Sequence, residues 1–182
     1  MKKGMLFIAG LVVLGLAGCK SDNETKLEAS LTMKTWEYGN QEIIYGEDKA
    51  IFSEREPIAF DMKLTNRGLK TERVEFTCGF DVIEIYNANG EKVYDSEQAP
   101  VGCSPSLSIE VVYMGESIGT PTLWDQELFL IDAEGGERGS TGEYLPPGDY
   151  TVTGYAEVYI ESVGSTIIPL PKEYSLTIEA SE

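Results

Sequence analysis

The chain has 182 residues, 31 of them acidic against 14 basic, with a formal charge of −17 and no histidine. A surface of that sign repels nucleic-acid phosphates and anionic lipid heads, which excludes nucleic-acid binding as a role. The missing imidazole removes histidine acid–base catalysis and most transition-metal sites, so no cofactor and no metal is expected.

In chain order, Lys2 and Lys3 form a basic start, Leu6 to Leu16 a short apolar run, and Leu16-Ala17-Gly18-Cys19 closes the segment. The run is too short to cross a hydrocarbon core of roughly 30 Å with ease, so residues 1–18 read as a processed export signal. The closing four residues resemble the lipobox of bacterial-type lipoproteins, in which the thiol becomes a thioether to diacylglycerol before cleavage. Cys19 is therefore the expected lipidation site, and membrane lipid the expected anchor, placing the protein on the outer side of a cell membrane or outer membrane. Residues 19–27 are polar after the cysteine and carry no periodicity, as expected of a short tether.

Cys78 and Cys103 remain. An outward-facing protein sits where disulfides persist, so a Cys78–Cys103 bridge is expected, with two free thiols or a metal pair as the alternatives.

From residue 28 to residue 182 the apolar period is two and almost never 3.6, which predicts one β domain. Leu27, Ala29, Leu31 and Met33 alternate with polar neighbours, a turn-rich stretch follows, and residues 50–52 form a short edge segment. Ile58, Phe60, Met62 and Leu64 alternate up to Asn66, and Val74 to Phe76 is a short strand. Phe80 to Tyr86 turns through Asn89-Gly90 into Lys92 to Tyr94, the strongest hairpin signal in the chain. Ser106 to Met114 alternates through Leu107, Ile109, Val111 and Tyr113, residues 115–123 read as turn, and Trp124 to Ile131 is apolar again. After Pro146-Pro147-Gly148-Asp149, Tyr150 to Ile160 sets Tyr150, Val152, Gly154, Ala156, Val158 and Ile160 on one face, and Glu173 to Ile178 is the last strand. Eight or nine such strands predict an all-β, antiparallel sandwich, with a barrel as the alternative.

Several pieces in order, IAFDMKLTN (58–66), VEFTCGFDVIEIYNANGEKVYDS (74–96), Trp124 and LPPGDYTVTGY (145–155), resemble the bacterial intracellular proteinase inhibitor (BsuPI) domain family over residues 50–160. The resemblance implies an immunoglobulin-like β-sandwich and binding to a serine protease. An export signal, two further cysteines and a long insertion between Tyr113 and Pro146 depart from that family's pattern.

Gly115-Glu116-Ser117-Ile118-Gly119 satisfies the expression for a hydrolase nucleophile, but no helix pattern follows it and there is no histidine to act as base. No catalytic residue is therefore expected. Asp132, Glu134 and Glu137 could supply oxygen ligands to calcium, although their spacing fits no defined loop. Tyr113, Tyr144, Tyr155 and Tyr159 are the candidate interface residues, since tyrosine buries ring area while keeping a hydroxyl. The expectation is a non-enzymatic, membrane-anchored module that binds a protein partner, a protease among the candidates. The alternatives are a passive envelope component and an accessory calcium- or substrate-binding domain of a transporter or secreted enzyme.

Overall fold

A computed structural model of the chain describes residues 26–40, 42–77, 79–97, 106–129 and 140–181. Two packed sheets make a β-sandwich. The first has the order β2-β1-β4-β9, built from β1 (Leu27–Gly39), β2 (Glu42–Asp48), β4 (Ile58–Asn66) and β9 (Ser117–Trp124), all antiparallel.

The second sheet is organised around β12 (Gly148–Ile160), thirteen residues long. One edge of β12 pairs with β14 (Tyr174–Glu179) over its first half and with β13 (Gly164–Pro169) over its second. The other edge pairs with β6 (Asp81–Asn87) up to Ala156, and then with β5 (Glu72–Thr77) at Tyr159 and Ile160. Beyond these lie β7 (Lys92–Asp95) on β6, β8 (Leu107–Val112) on β5, and β3 (Ile51–Ser53), which runs parallel to β14. A separate hairpin joins β10 (Glu127–Phe129) and β11 (Ser140–Tyr144).

The period-two pattern places the core. Ile58, Phe60, Met62 and Leu64 of β4 are fully buried and meet Val152, Ala156, Val158 and Ile160 of β12 in one apolar cluster. Such side chains contribute about 1.5–3 kcal/mol each when fully removed from water. Trp124 is buried in the same cluster, 6.0 Å from the Phe60 ring and 4.5 Å from Tyr94, and its indole N–H donates to the Glu127 carbonyl at 2.9 Å. Gly154 is required where β12 crosses β6, because a Cβ there would lie 2.1 Å from the Val82 carbonyl oxygen.

Two buried carboxamides hold the ends of β4. Asn66 donates from Nδ2 to the Lys70 and Val112 carbonyls at 2.7 and 2.8 Å, and its Oδ1 accepts from the Gly68 amide at 2.9 Å. Gln126, at the Trp124 end, donates from Nε2 to the Ser53 and Glu56 carbonyls at 2.9 and 2.8 Å, while its Oε1 accepts from the Arg55 amide at 2.9 Å. Its backbone is left-handed, φ 67°.

Four sequence expectations are corrected. Residues 115–123 are not a turn: Gly115 makes one, at φ 81°, and β9 then pairs with the whole of β4. Its Gly119 and Pro121 look like turn residues, but β9 is an edge strand, where a proline without an N–H is tolerated. Strands β2 and β13 were hidden in polar or short stretches, and neither has an extended buried face. The stripe Leu107, Ile109 and Val111 faces outward, because the register with β5 puts it on the face of Arg73 and Glu75, while Val112 shares the buried face with Val74. Finally, no disulfide is found among the described residues, and Cys78 and Cys103 lie outside them. The expected bridge therefore drops out of the account.

Asn66→Asp and Gln126→Glu each set an acceptor-only carboxylate against two carbonyls. Each is expected to cost about 2–4 kcal/mol, seen as a lower urea midpoint with an unchanged slope. The exposed turn change Asn89→Asp should stay within about 0.5 kcal/mol.

Candidate functional site

The switch of β12 from β6 to β5 opens the sheet. Between Ala156 and Tyr159 its edge has no full-length neighbour, and the Glu157 amide instead donates to the Phe80 carbonyl at 2.7 Å. Phe76, from the end of β5, and Phe80, just before β6, fill the fork edge to face, with ring centroids 5.1 Å apart. Outside them is a cleft of about 570 Å³ whose walls include Phe76, Phe80 and Tyr159, and whose carboxylates are Glu75, Asp81, Glu97 and Glu157.

These acids are held differently. Glu75 is ion-paired to Arg73 at 2.6 Å, and Asp81 accepts a short hydrogen bond from the Thr122 hydroxyl. Glu97 and Glu157 are exposed at the rim. Their field reaches Tyr155, whose phenol is pushed above its ordinary range, first by burial and then by Glu97, Glu84, Glu157 and Asp95. Behind the cleft, Tyr94 is pushed up the same way, by burial and then by Asp81, Asp95 and Asp125. Lys92 is also raised, chiefly by its short hydrogen bond to Glu84 and then by Asp95 at 3.0 Å, so this cation is already engaged.

The four candidate interface tyrosines separate. Tyr155 and Tyr159 stand four residues apart on the outward face of β12, and Tyr159 lines the cleft. Tyr144 is on β11, under the Arg55 guanidinium at 4.5 Å. Tyr113 is exposed in the loop after β8, its amide 3.4 Å from a Glu116 carboxylate oxygen. Phe76, Phe80 and Glu97 were not legible as site residues, although the spacing of two phenylalanines around Gly79 was the available signal.

Ser117 opens strand β9, not a helix, and its hydroxyl lies 2.8 Å from that of Thr65. Asp132, Glu134 and Glu137 lie outside the described residues, as does Cys19. Among the described residues no group of three or more Cys, Asp or Glu is arranged to hold a metal ion, and no helix is long and apolar enough to cross a membrane. A second hollow, about 470 Å³, lies along β1 and β2 beside Trp36, Ile44 and Tyr45. None of the candidate tyrosines lines it.

No protein-family model and no curated protein sequence matches the chain. The resemblance of residues 50–160 to the proteinase inhibitor family thus has no matching model behind it, and the inhibitor role inferred from it is withdrawn. Among solved structures the chain is similar to a Bordetella pertussis protein assigned as ApaA, at 14% identity and a TM-score of 0.45, over 85% of this chain and 94% of that one. It is also similar to a β-glucosidase from Listeria innocua, at 8% identity and a TM-score of 0.39, over 86% of this chain but 16% of the enzyme. A β-glucosidase from Erythrobacter marinus gives 11% identity, a TM-score of 0.38 and the same 16% of the longer chain. At these values no activity transfers.

If the rim acids set the potential at the cleft, the double variant Glu97→Gln/Glu157→Gln lowers the Tyr155 phenol pKa toward its ordinary value. An NMR or ultraviolet titration reads this, and Glu37→Gln/Glu47→Gln on the other sheet, with the same charge change, should leave it in place.

Proposed function

We propose that the chain is a non-catalytic binding module on an immunoglobulin-like sandwich, an accessory domain whose cleft receives an organic cation. A lysine or arginine side chain on a bound polypeptide is the commonest source of such a group.

The observation that carries this reading is the cleft itself, in which the aromatic residues Phe76, Phe80 and Tyr159 share one opening with Glu97 and Glu157. Aromatic rings attract ammonium and guanidinium groups, and carboxylates add charge-assisted hydrogen bonds. Tyr155 is raised first by burial and then by nearby acids that include Glu97 and Glu157, so part of its shift reports the same negative surroundings. A non-catalytic role is supported by the absence of histidine from the chain, which removes imidazole acid–base chemistry.

The immunoglobulin-like reading is supported by strand order. Strands β1, β4 and β9 form one sheet, β14, β12, β6 and β7 run in the other, and β3 crosses over to lie parallel to the last strand. The hydroxyl of Tyr150, at the start of β12, donates to the Pro146 carbonyl at 2.6 Å, which is the geometry of a tyrosine corner.

Calorimetric titration with an arginine-containing peptide at low salt tests the binding role. Binding is expected to weaken about tenfold, or about 1.4 kcal/mol, in Glu97→Gln/Glu157→Gln and to be retained in Glu37→Gln/Glu47→Gln. No heat of binding, or an equal loss in both double variants, would leave only general attraction to an acidic surface.

A further inference from the structure

Strand β8 is the last strand of its sheet at the β5 side, and among the described residues no strand pairs with its other edge. Its outward stripe is apolar, with Leu107, Ile109 and Val111 being 57%, 46% and 48% exposed. Edge strands are ordinarily blunted by lysine, proline, a bulge or inward charge. Here the register with β5 runs unbroken from Glu72↔Val112 to Thr77↔Leu107, and the strand holds no lysine and no proline; its one blunting feature is Glu110 on the inner face, which a paired edge has to accommodate.

We infer that this edge pairs with the same edge of a second copy of the chain, antiparallel and two-fold, centred on Ile109. The argument is one of face parity and charge. Residues opposite each other in an antiparallel ladder share a face, so the two stripes meet only when odd-numbered residues oppose odd-numbered ones. Centring on Ile109 sets Ile109 against itself and Leu107 against Val111 on the outer face. On the inner face it sets Ser108 against Glu110, the only charge on the strand. Centring one residue on, at Glu110, would oppose the two carboxylates directly, which is unfavourable. An isologous contact needs this kind of self-complementarity.

The flanking strand holds Glu72, Arg73 and Glu75, a formal −1, with Glu72 buried on the inner face. Arg73, opposite Val111, and Glu75, opposite Ile109, hold each other at 2.6 Å, and Arg73 also lies 3.8 Å from Glu161. Repulsion between the copies comes from the general acidity of the chain, −17 each. Salt screens that repulsion and leaves apolar and backbone contacts in place, so this dimer tightens as salt is added. A ladder of six residues is short, and the association is concentration-dependent.

Sedimentation equilibrium of the full chain across concentration and salt tests this, with Ile109→Lys, Val111→Lys and Ile167→Lys alongside. Ile167 is an exposed apolar residue on β13, away from the seam, and serves as the control for added charge and for association through other segments. The expected result is a dimer that strengthens with salt, weakens by about tenfold or more in both β8 variants, and persists in Ile167→Lys, all three variants keeping the parent's urea midpoint. A monomer at every salt and concentration, or a dimer indifferent to both β8 variants, overturns the inference. So does a monomer whose β8 amides resist hydrogen exchange, because another part of the chain would then cover the edge. Since binding of the arginine peptide is read separately, loss of this dimer and loss of the cationic cleft are distinguishable.

Discussion

The sandwich depends on how the two ends of β4 are closed. A strand whose residues are almost all buried brings unpaired backbone groups from its neighbours with it, and these have no water to turn to. Asn66 and Gln126 answer that need at opposite ends, each with two N–H donors aimed at two carbonyls and an oxygen accepting one amide. Asn66 joins β4 to the end of β8 and to the turn into β9, where the Gly115 amide donates to its backbone carbonyl at 2.8 Å. Gln126 gathers the loop after β3, the corner after β9 and the approach to β12, its own carbonyl accepting from the Leu145 amide at 2.9 Å. A carboxamide suits both places because it donates and accepts without a charge to desolvate.

With β4 fixed, β12 decides the shape of the other sheet. It is longer than any neighbour on either edge, so each edge is shared by two partners in succession. Gly154 lets the β6 backbone come close, and past Ala156 the β6 and β5 neighbours part, leaving the fork that Phe76 and Phe80 fill. The cleft is thus a consequence of a change of strand partner rather than of a loop. It collects rim acids from the turn after β7 and from β12 itself, and the acidity of the chain becomes a local field at that point.

Much of the fold was legible because alternation is local. Leu27 to Met33, Ile58 to Leu64 and Tyr150 to Ile160 each face the core as their period predicts, and Asn89-Gly90 turns the expected hairpin, with Gly90 at φ 78°. Strand β9 was not legible, since Gly119 and Pro121 are turn residues wherever a strand is central and acceptable ones when it lies at an edge. Of the candidate interface residues, Tyr155 and Tyr159 belong together by their spacing on one strand. Tyr113 and Tyr144 go elsewhere, because β8 and β11 carry them to other parts of the fold, Tyr144 under Arg55 and Tyr113 beside Glu116.

The chain by itself therefore determined the all-β class, the inward faces of its three best-patterned strands and the absence of imidazole chemistry, because each follows from residue type and short-range order. Only the tertiary structure decided which apolar alternations are covered. Ile58 and Ile109 sit in equally regular patterns, yet one is fully buried and the other 46% exposed. The difference is which face of the sheet each stripe takes: Ile58 points into the cluster between the sheets, whereas Ile109 shares the outer face with Glu75, and neither segment encodes which of its faces the other sheet will cover.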